Sequence, residues 1–130
     1  MGMAVDKIGL MLPFKAEYVS IARLTVSGIA SRIGFDIDTV EDIKVAVAEV
    51  CNRLVSIGSK ASQYYEIGFT ISEQSLKVLF NCEDKSIKCI FDNEDEEFAI
   101  SIIKALMDDV EFCTDGSYIL SMTKSVGENM

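Results

Sequence analysis

The sequence predicts an α/β (α+β) fold, a two-layer sandwich in which a mixed, mostly antiparallel sheet carries helices on one face. The order of apolar patterns is one strand, two helices, a block of strands, a further helix and a closing hairpin. Strands that follow each other directly are typical of antiparallel pairing, and helices confined to separate blocks favour a single helical layer. The chain has 130 residues, of which 49 % are apolar and 25 % charged. These values indicate one globular domain, residues 1–130.

The first two elements are a short strand and a long helix. Residues 7–14 are largely apolar and the strand stops near Pro13. Over residues 17–34 apolar side chains recur at helical spacing, and Gly34 supplies a stop. Valine, isoleucine and threonine are weak helix formers. The length of the segment therefore decides for a helix, whose buried stripe is Val19, Ala22, Val26, Ile29, Ala30 and Ile33.

This first helix has a second apolar side, formed by Tyr18, Ile21 and Leu24. Its polar stripe is narrow and consists of Ser20, Arg23, Ser27 and Ser31. A helix that is apolar nearly all round is expected to be buried on both sides. Either a second chain or another element of this chain covers the second side, and the pattern does not decide between them.

The second helix begins after a short connection. Asp38 is the expected N-cap, with Glu41 completing a capping box, and Gly58 ends the helix. Two strands are predicted next, at residues 63–72 and 75–82, and residues 88–91 are a candidate for another. The expected buried stripe of the helix is Val40, Ile43, Val47, Val50 and Leu54.

The C-terminal part contains an acidic run, a helix and a hairpin. Residues 92–97 are acidic except for one asparagine, and they lead into an amphipathic helix. The closing hairpin pairs residues 110–113 with residues 118–124 across a turn at residues 115–116. The expected apolar face of the helix is Phe98, Ile102, Ala105 and Leu106.

Composition excludes several classes of function. The chain contains no histidine and no Cys-x-x-Cys pair, so zinc, haem and histidine-based acid–base chemistry lose their usual ligands. A net charge of −9 argues against binding to nucleic acid or to an anionic membrane. No apolar run approaches the roughly 20 residues of a membrane span, and the N-terminus lacks a signal-peptide pattern. We expect a cytoplasmic protein with reduced thiols at Cys51, Cys82, Cys89 and Cys113.

Three stretches together resemble the bacterial anti-sigma-factor serine kinases, members of the histidine-kinase-like ATPase superfamily. Residues 17–35 resemble their first helix, residues 40–51 their second, and residues 105–110 with 122–124 their C-terminal end. The resemblance covers nearly the whole chain. It implies the histidine-kinase-like ATPase (Bergerat) fold and a homodimer that holds an alternative sigma factor. It also implies release by an anti-anti-sigma (STAS-type) partner, whose serine is phosphorylated with ATP and magnesium.

The family's first nucleotide motif is Glu-x-x-x-Asn on the second helix, which places both side chains over the phosphates. The glutamate orients the attacking group and the asparagine holds magnesium. Glu49 is present here, but Arg53 stands four residues later, and Asn52 lies one position too early. A guanidinium offers only hydrogen-bond donors and cannot ligate a metal. Arg53 is expected to form a salt bridge with Glu49, with direct phosphate binding as the alternative.

The other two motifs also depart from the family pattern. The family's Asp-x-Gly motif, which recognises adenine, corresponds to Asn81 followed two residues later by Glu83, or in another register to Asp84. Residues 97–100 replace the glycine-rich turn that receives phosphates at the start of the last helix. No glycine occurs between residues 69 and 115, and carboxylates crowd this helix start, where they compete with a triphosphate.

The sequence therefore predicts a partner-binding relative of these kinases that lacks catalysis, has no metal site and needs no cofactor. The resemblance implies that Arg23, with Ser20 and Ser27 beside it, meets the sigma factor and its antagonist. An active serine kinase is the alternative; it would use ATP and magnesium, with Glu49 catalytic and Asn52, Arg53 and Asn81 at the nucleotide. A third hypothesis is a sensor whose reshaped pocket holds a neutral ligand.

Overall fold

The computed structural model describes residues 5–59, 61–87, 91, 96–112 and 116–127. The helices and strands follow the predicted order, and the two-layer α/β prediction is confirmed. The helices are α1 (Val19–Ile33), α2 (Ile37–Ile57) and α3 (Glu97–Leu106), with short 3-10 turns at Ala16–Tyr18 and Lys85–Ile87. The strands are β1 (Asp6–Pro13), β2 (Tyr64–Ile71), β3 (Ser75–Cys82), β4 (Asp109–Phe112) and β5 (Leu120–Ser125).

The five strands form one sheet in the order β1-β2-β3-β5-β4. All four pairings are antiparallel, so the sheet in the described part of the chain is antiparallel rather than mixed. The register is continuous across the sheet: Leu12 pairs with Tyr65, Tyr65 with Cys82, and Phe80 with Leu120. Directly paired residues point to the same side of a sheet, so these rows define its two faces.

One face of the sheet packs against the helices, and none of the helices in the described segments lies on the other face. Along β2 and β3 every second side chain is buried, whereas exposed residues such as Glu66 and Lys77 point to the opposite side. The buried strand residues belong to one hydrophobic cluster with the buried stripes of α1 and α2. The core therefore lies between the sheet and the helical layer, and fully buried members include Tyr65, Phe69, Phe80, Ile43 and Leu54.

The helix ends are fixed by side-chain and glycine signals. α1 ends at Gly34 (φ 112°) and α2 ends at Gly58 (φ 67°), as predicted, because glycine adopts positive φ without a steric penalty. The predicted cap of α2 is wrong. Asp36 is the N-cap and its Oδ1 accepts the backbone N–H of Thr39 at 2.8 Å, while Asp38 lies in the first helical turn.

The apolar faces of α3 and α1 differ in part from those predicted. In α3 the buried residues are Ala99 and Ile103. Of the predicted face, Phe98 is 78 % exposed and Ala105 is exposed, so the prediction is wrong at both, whereas Leu106 is partly buried against the core. On α1 the predicted core stripe is confirmed, but Leu24 remains 72 % exposed. The chain itself does not cover this second side at Leu24.

Some predicted features fall outside the described residues. The candidate strand at residues 88–91 is described only at Phe91, which is buried and lies in a 3-10 turn, and most of the acidic run at residues 92–97 is likewise outside. The closing hairpin is confirmed as β4 and β5. Among the helices of the described segments, none combines the length and apolarity needed to cross a bilayer.

Candidate functional site

The C-terminal half of α2 carries the first group of candidate residues. Glu49 and Arg53 are four residues apart and lie along the same edge of the helix, where both are partly buried. Asn52 is exposed because each residue turns the helix by about 100°, which directs it to the solvent side together with Val45 and Ser56. The structure therefore brings Glu49 and Arg53 together on one edge and separates Asn52 from them.

Arg53 forms an ion pair with Glu96, the residue at the start of α3. Its Nε donates to Oε1 and its Nη2 donates to Oε2, a bidentate arrangement that matches the planar guanidinium to the carboxylate. Glu96 is only 4 % exposed. The expected salt bridge from Arg53 to Glu49 is replaced by this one, and no ion pair of Glu49 is found within the described residues.

The start of α3 is unusual in how it uses its acidic residues. Glu96 occupies the N-cap position, yet its side chain makes no capping hydrogen bond, since both carboxylate oxygens are committed to Arg53. Glu97 follows in the first turn, where a carboxylate interacts favourably with the helix dipole. The negative charge that this helix end attracts is thus supplied by the protein itself.

Asn81 does not lie on the helix-facing side of the sheet. It pairs with Glu66 of β2, which pairs with Met11 of β1, and this row lies on the face without helices. There it lines a cavity of about 390 Å³, and its Oδ1 is buried without a hydrogen-bond partner among the residues that the structure describes. The structure separates Asn81 from Glu49 and Arg53, because alternate residues of a strand point to opposite faces.

Cys82 is the residue at the end of β3 that faces the helical layer. It is buried, and its Sγ accepts the backbone N–H of Asp84 at 3.3 Å. The motif pattern did not point to Cys82, although the alternation of buried residues along β3 indicates that it faces the helices. A thiol in this position is a poor acceptor for an adenine amino group.

Asp84, the alternative adenine-recognising residue, is engaged in a loop network. Its carboxylate accepts the Ser59 hydroxyl and both the backbone N–H and the hydroxyl of Ser86, the latter two at 2.9 and 2.7 Å. The hydrogen bond from Ser59, followed by those from Ser86, lowers the pKa of Asp84 below its ordinary value. Asp84 therefore ties the loop after β3 to the end of α2.

Beneath this region, Cys51 of α2 and Tyr65 of β2 form a buried pair. Burial raises the pKa of Cys51 to about 12, and the nearby Tyr65 hydroxyl offsets part of this effect. Burial, and then the neighbouring thiol, raise the pKa of Tyr65 as well. Among the described residues, the buried Tyr65 hydroxyl has no hydrogen-bond partner. Both groups stay protonated at neutral pH, and Cys51 is therefore a structural rather than a nucleophilic thiol.

These residues do not fit a magnesium nucleotide of the kind that the family binds. Magnesium prefers oxygen ligands, and Arg53 presents a cation at the position of the metal-binding amide. The carboxylate of Glu96 lies at the helix end that receives phosphates in the family. Within the segments that the structure describes, no group of three or more acidic or cysteine side chains is arranged to hold a metal ion.

The predicted partner-binding residues lie on α1. Ser20 and Arg23 are exposed and Ser27 is partly buried. Leu24 and Ile21, which are 72 % and 40 % exposed, adjoin them on the same side of the helix. An apolar patch bordered by a cation and hydroxyls is a suitable surface for another protein, and its role stays a prediction.

Comparison with known proteins identifies the family. Residues 12–124 match the model of the histidine kinase-like ATPase domain. The serine-protein kinase RsbW of Listeria monocytogenes is 37 % identical over 140 aligned positions, which cover 95 % of this chain and 89 % of the relative. RsbW of Oceanobacillus iheyensis is 33 % identical, again over 95 % of this chain and 89 % of the relative. RsbW of Bacillus cereus is 31 % identical over 93 % of this chain and 86 % of the relative. The chain therefore belongs to the histidine kinase-like ATPase family, in the branch of anti-sigma-factor serine kinases that includes RsbW.

Proposed function

We propose that the protein is an anti-sigma-factor-like regulator that binds a sigma factor, an anti-anti-sigma (STAS-type) protein or both, without ATP-dependent catalysis. The observation that carries this proposal is the ion pair between Arg53 and Glu96. It joins the two positions at which the family holds magnesium and phosphate. We further propose that it acts in the cytoplasm as a homodimer, without binding nucleic acid or membrane.

The electrostatics of the pair support the absence of catalysis. A triphosphate at the start of α3 would lie against the Glu96 carboxylate, which is buried and negatively charged. To admit the nucleotide, Arg53 would have to leave Glu96. Releasing Arg53 would leave the Glu96 carboxylate buried without its partner, which costs free energy even though Arg53 keeps 35 % of its side chain exposed. Nucleotide binding would have to overcome this cost without a metal-binding amide.

Calorimetric titration with ATP and ADP, with and without magnesium, tests this part of the proposal. We expect no heat of binding up to millimolar nucleotide, whereas the Listeria monocytogenes RsbW, measured alongside, provides the positive control. Micromolar affinity of this chain for either nucleotide would overturn the proposal.

The active kinase remains the second candidate, and the position of Glu49 favours it. Glu49 is partly buried on the same edge of α2 as Arg53, and no ion pair within the described residues occupies it. Such a kinase would transfer phosphate from ATP to a serine of the anti-anti-sigma protein. Incubation of the two proteins with labelled ATP separates the candidates: label on the partner that disappears in Glu49→Gln would establish the kinase.

The partner surface is tested separately on α1. We expect Arg23→Ala to weaken binding to the cognate sigma factor or anti-anti-sigma protein at least about tenfold, since arginine is enriched among interface residues that dominate affinity. Arg32→Ala is the matched control, because Arg32 is also exposed but lies in the last turn of the same helix. Equal affinity of wild type and Arg23→Ala would remove Arg23 from the interface.

A further inference from the structure

We infer that the Arg53–Glu96 ion pair is a built-in latch that ties the N-terminal end of α3 to α2 without any ligand. In this domain the latch takes the structural place of the bound nucleotide. The inference rests on the proposed function, because it assigns a role to the same site once nucleotide is absent. It concerns the position of a helix rather than the chemistry of the site.

The packing of α3 shows why its first turn needs such a tie. The C-terminal half of the helix is held in the core by Ile103, which is fully buried, and by Met107 just beyond it. At the other end Phe98 is 78 % exposed, and Ala99 is a small side chain that buries little apolar area. Ile100 adds a partly buried contact with the core, so the first turn of α3 is anchored by less apolar surface than the second half of the helix.

The geometry of the pair is suited to this task. Glu96 immediately precedes the first helical residue, so its side chain transmits any restraint directly to the helix start. Two parallel hydrogen bonds to one guanidinium fix both distance and orientation, which a single contact cannot do. Arg53 is itself held on α2 between the buried residues Val50 and Leu54. The latch therefore connects α2, which contributes many residues to the core, to the start of α3, which contributes few.

Burial makes the latch difficult to release. Glu96 is 4 % exposed, so water cannot readily take the place of Arg53. Without Arg53 the carboxylate would be a buried charge with no partner, which is energetically costly. The exposed pair of Lys44 and Glu41, at 2.9 Å on the same helix α2, lacks this property, since Glu41 is largely accessible to solvent. The two pairs offer a matched comparison between a buried tie across two helices and a surface pair within one helix.

Hydrogen exchange of the full chain in the absence of nucleotide tests the latch. In Arg53→Met and in Glu96→Gln, we expect the amides of the α3 peptide to exchange at least about tenfold faster, equivalent to about 1.4 kcal/mol of opening free energy. The amides of β2 and β3 should exchange as in the wild type. Lys44→Met, which breaks the surface pair, should leave the α3 peptide unchanged.

The outcomes separate the latch from the proposed function. Exchange of the α3 peptide within about twofold of wild type in Glu96→Gln would overturn the latch. If Arg53→Met also exposes β2 and β3, Glu96→Gln decides alone, because it keeps the shape of the side chain while removing its charge and one of its two acceptor oxygens. Nucleotide binding by the wild type, measured by calorimetry, would overturn the proposed function and leave the exchange result to be judged separately.

Discussion

Two carboxylates near the start of α2 have different roles. Asp36 accepts the backbone N–H of Thr39 and thereby satisfies one of the unpaired amides of the first turn. This hydrogen bond lowers the pKa of Asp36 below its ordinary value. Asp38 is exposed inside the first turn, where its charge interacts only with the helix dipole. The cap residue should therefore contribute more to stability than its neighbour.

We predict that Asp36→Ala lowers the midpoint of urea unfolding at pH 7 more than Asp38→Ala does. Because the folded pKa of Asp36 is lowered, its contribution is present above the unfolded pKa and disappears as the pH falls through the folded pKa. The difference between wild type and Asp36→Ala should therefore shrink below about pH 4. An equal effect of both substitutions at pH 7 would contradict the assignment of the cap.

At the candidate site, the sequence predicted where a side chain lies on its helix better than it predicted the residue with which that side chain pairs. The place of Arg53 on the edge of α2 follows from helical periodicity, which is a local property. Its ion pair with Glu96 spans 43 residues and depends on how α3 packs against α2, which no local pattern determines. The acidic run before α3 did indicate that carboxylates lie at this helix end. The sequence alone did not show which of these carboxylates pairs with Arg53.

The elements themselves were predictable to different degrees. The core stripe of α1 was predicted correctly because its apolar residues recur at helical spacing over a segment too long for a strand. In α3 the sequence between Phe98 and Leu106 is apolar on most sides, so two neighbouring faces matched the helical period almost equally well. The packing of Ile103 into the core resolves this ambiguity and leaves Phe98 outside.

The buried face of α3 differs from the face predicted from the sequence, and this difference leads to a prediction with an internal control. Ile103→Ala removes a fully buried side chain and should reduce the free energy of unfolding by about 2–5 kcal/mol. Phe98→Ala removes a larger side chain that is 78 % exposed, and the change should stay within about 0.5 kcal/mol. Urea unfolding followed by circular dichroism measures both. A larger loss for Phe98→Ala would show that the face predicted from the sequence is the buried one.

At the scale of the whole molecule, the fold was predictable because strands that are adjacent in sequence also pair in the sheet, except where β5 inserts between β3 and β4. It was harder to predict which face of the sheet each strand residue occupies. Buried residues alternate from Leu76 to Cys82, which places Asn81 on the face without helices. Asn81 was predicted to recognise adenine from its residue type and place in the motif, which do not specify the direction of the side chain.

The exposed side of α1 links the architecture of the domain to its assembly. The sheet and α2 bury one side of α1, while Leu24 and Ile21 remain accessible on a molecule with a net charge of −9. Apolar side chains grouped on one helix face commonly mark protein contacts. Under the proposed function, either a second copy of the chain or a regulatory partner covers this patch. The two cases differ in whether the protein is already a dimer when no partner is present.

We predict that Leu24→Lys disrupts this contact without disturbing the fold, since Leu24 is 72 % exposed and its replacement should change stability by no more than about 0.5 kcal/mol. Ser56→Lys adds the same charge on the exposed side of α2 and serves as the control. Light scattering after size exclusion measures the mass of each variant alone, and titration measures partner affinity. If the patch joins two copies, Leu24→Lys halves the mass. If it holds the partner, the mass stays constant while affinity falls, and identical behaviour of the two variants in both measurements would exclude α1 from either interface.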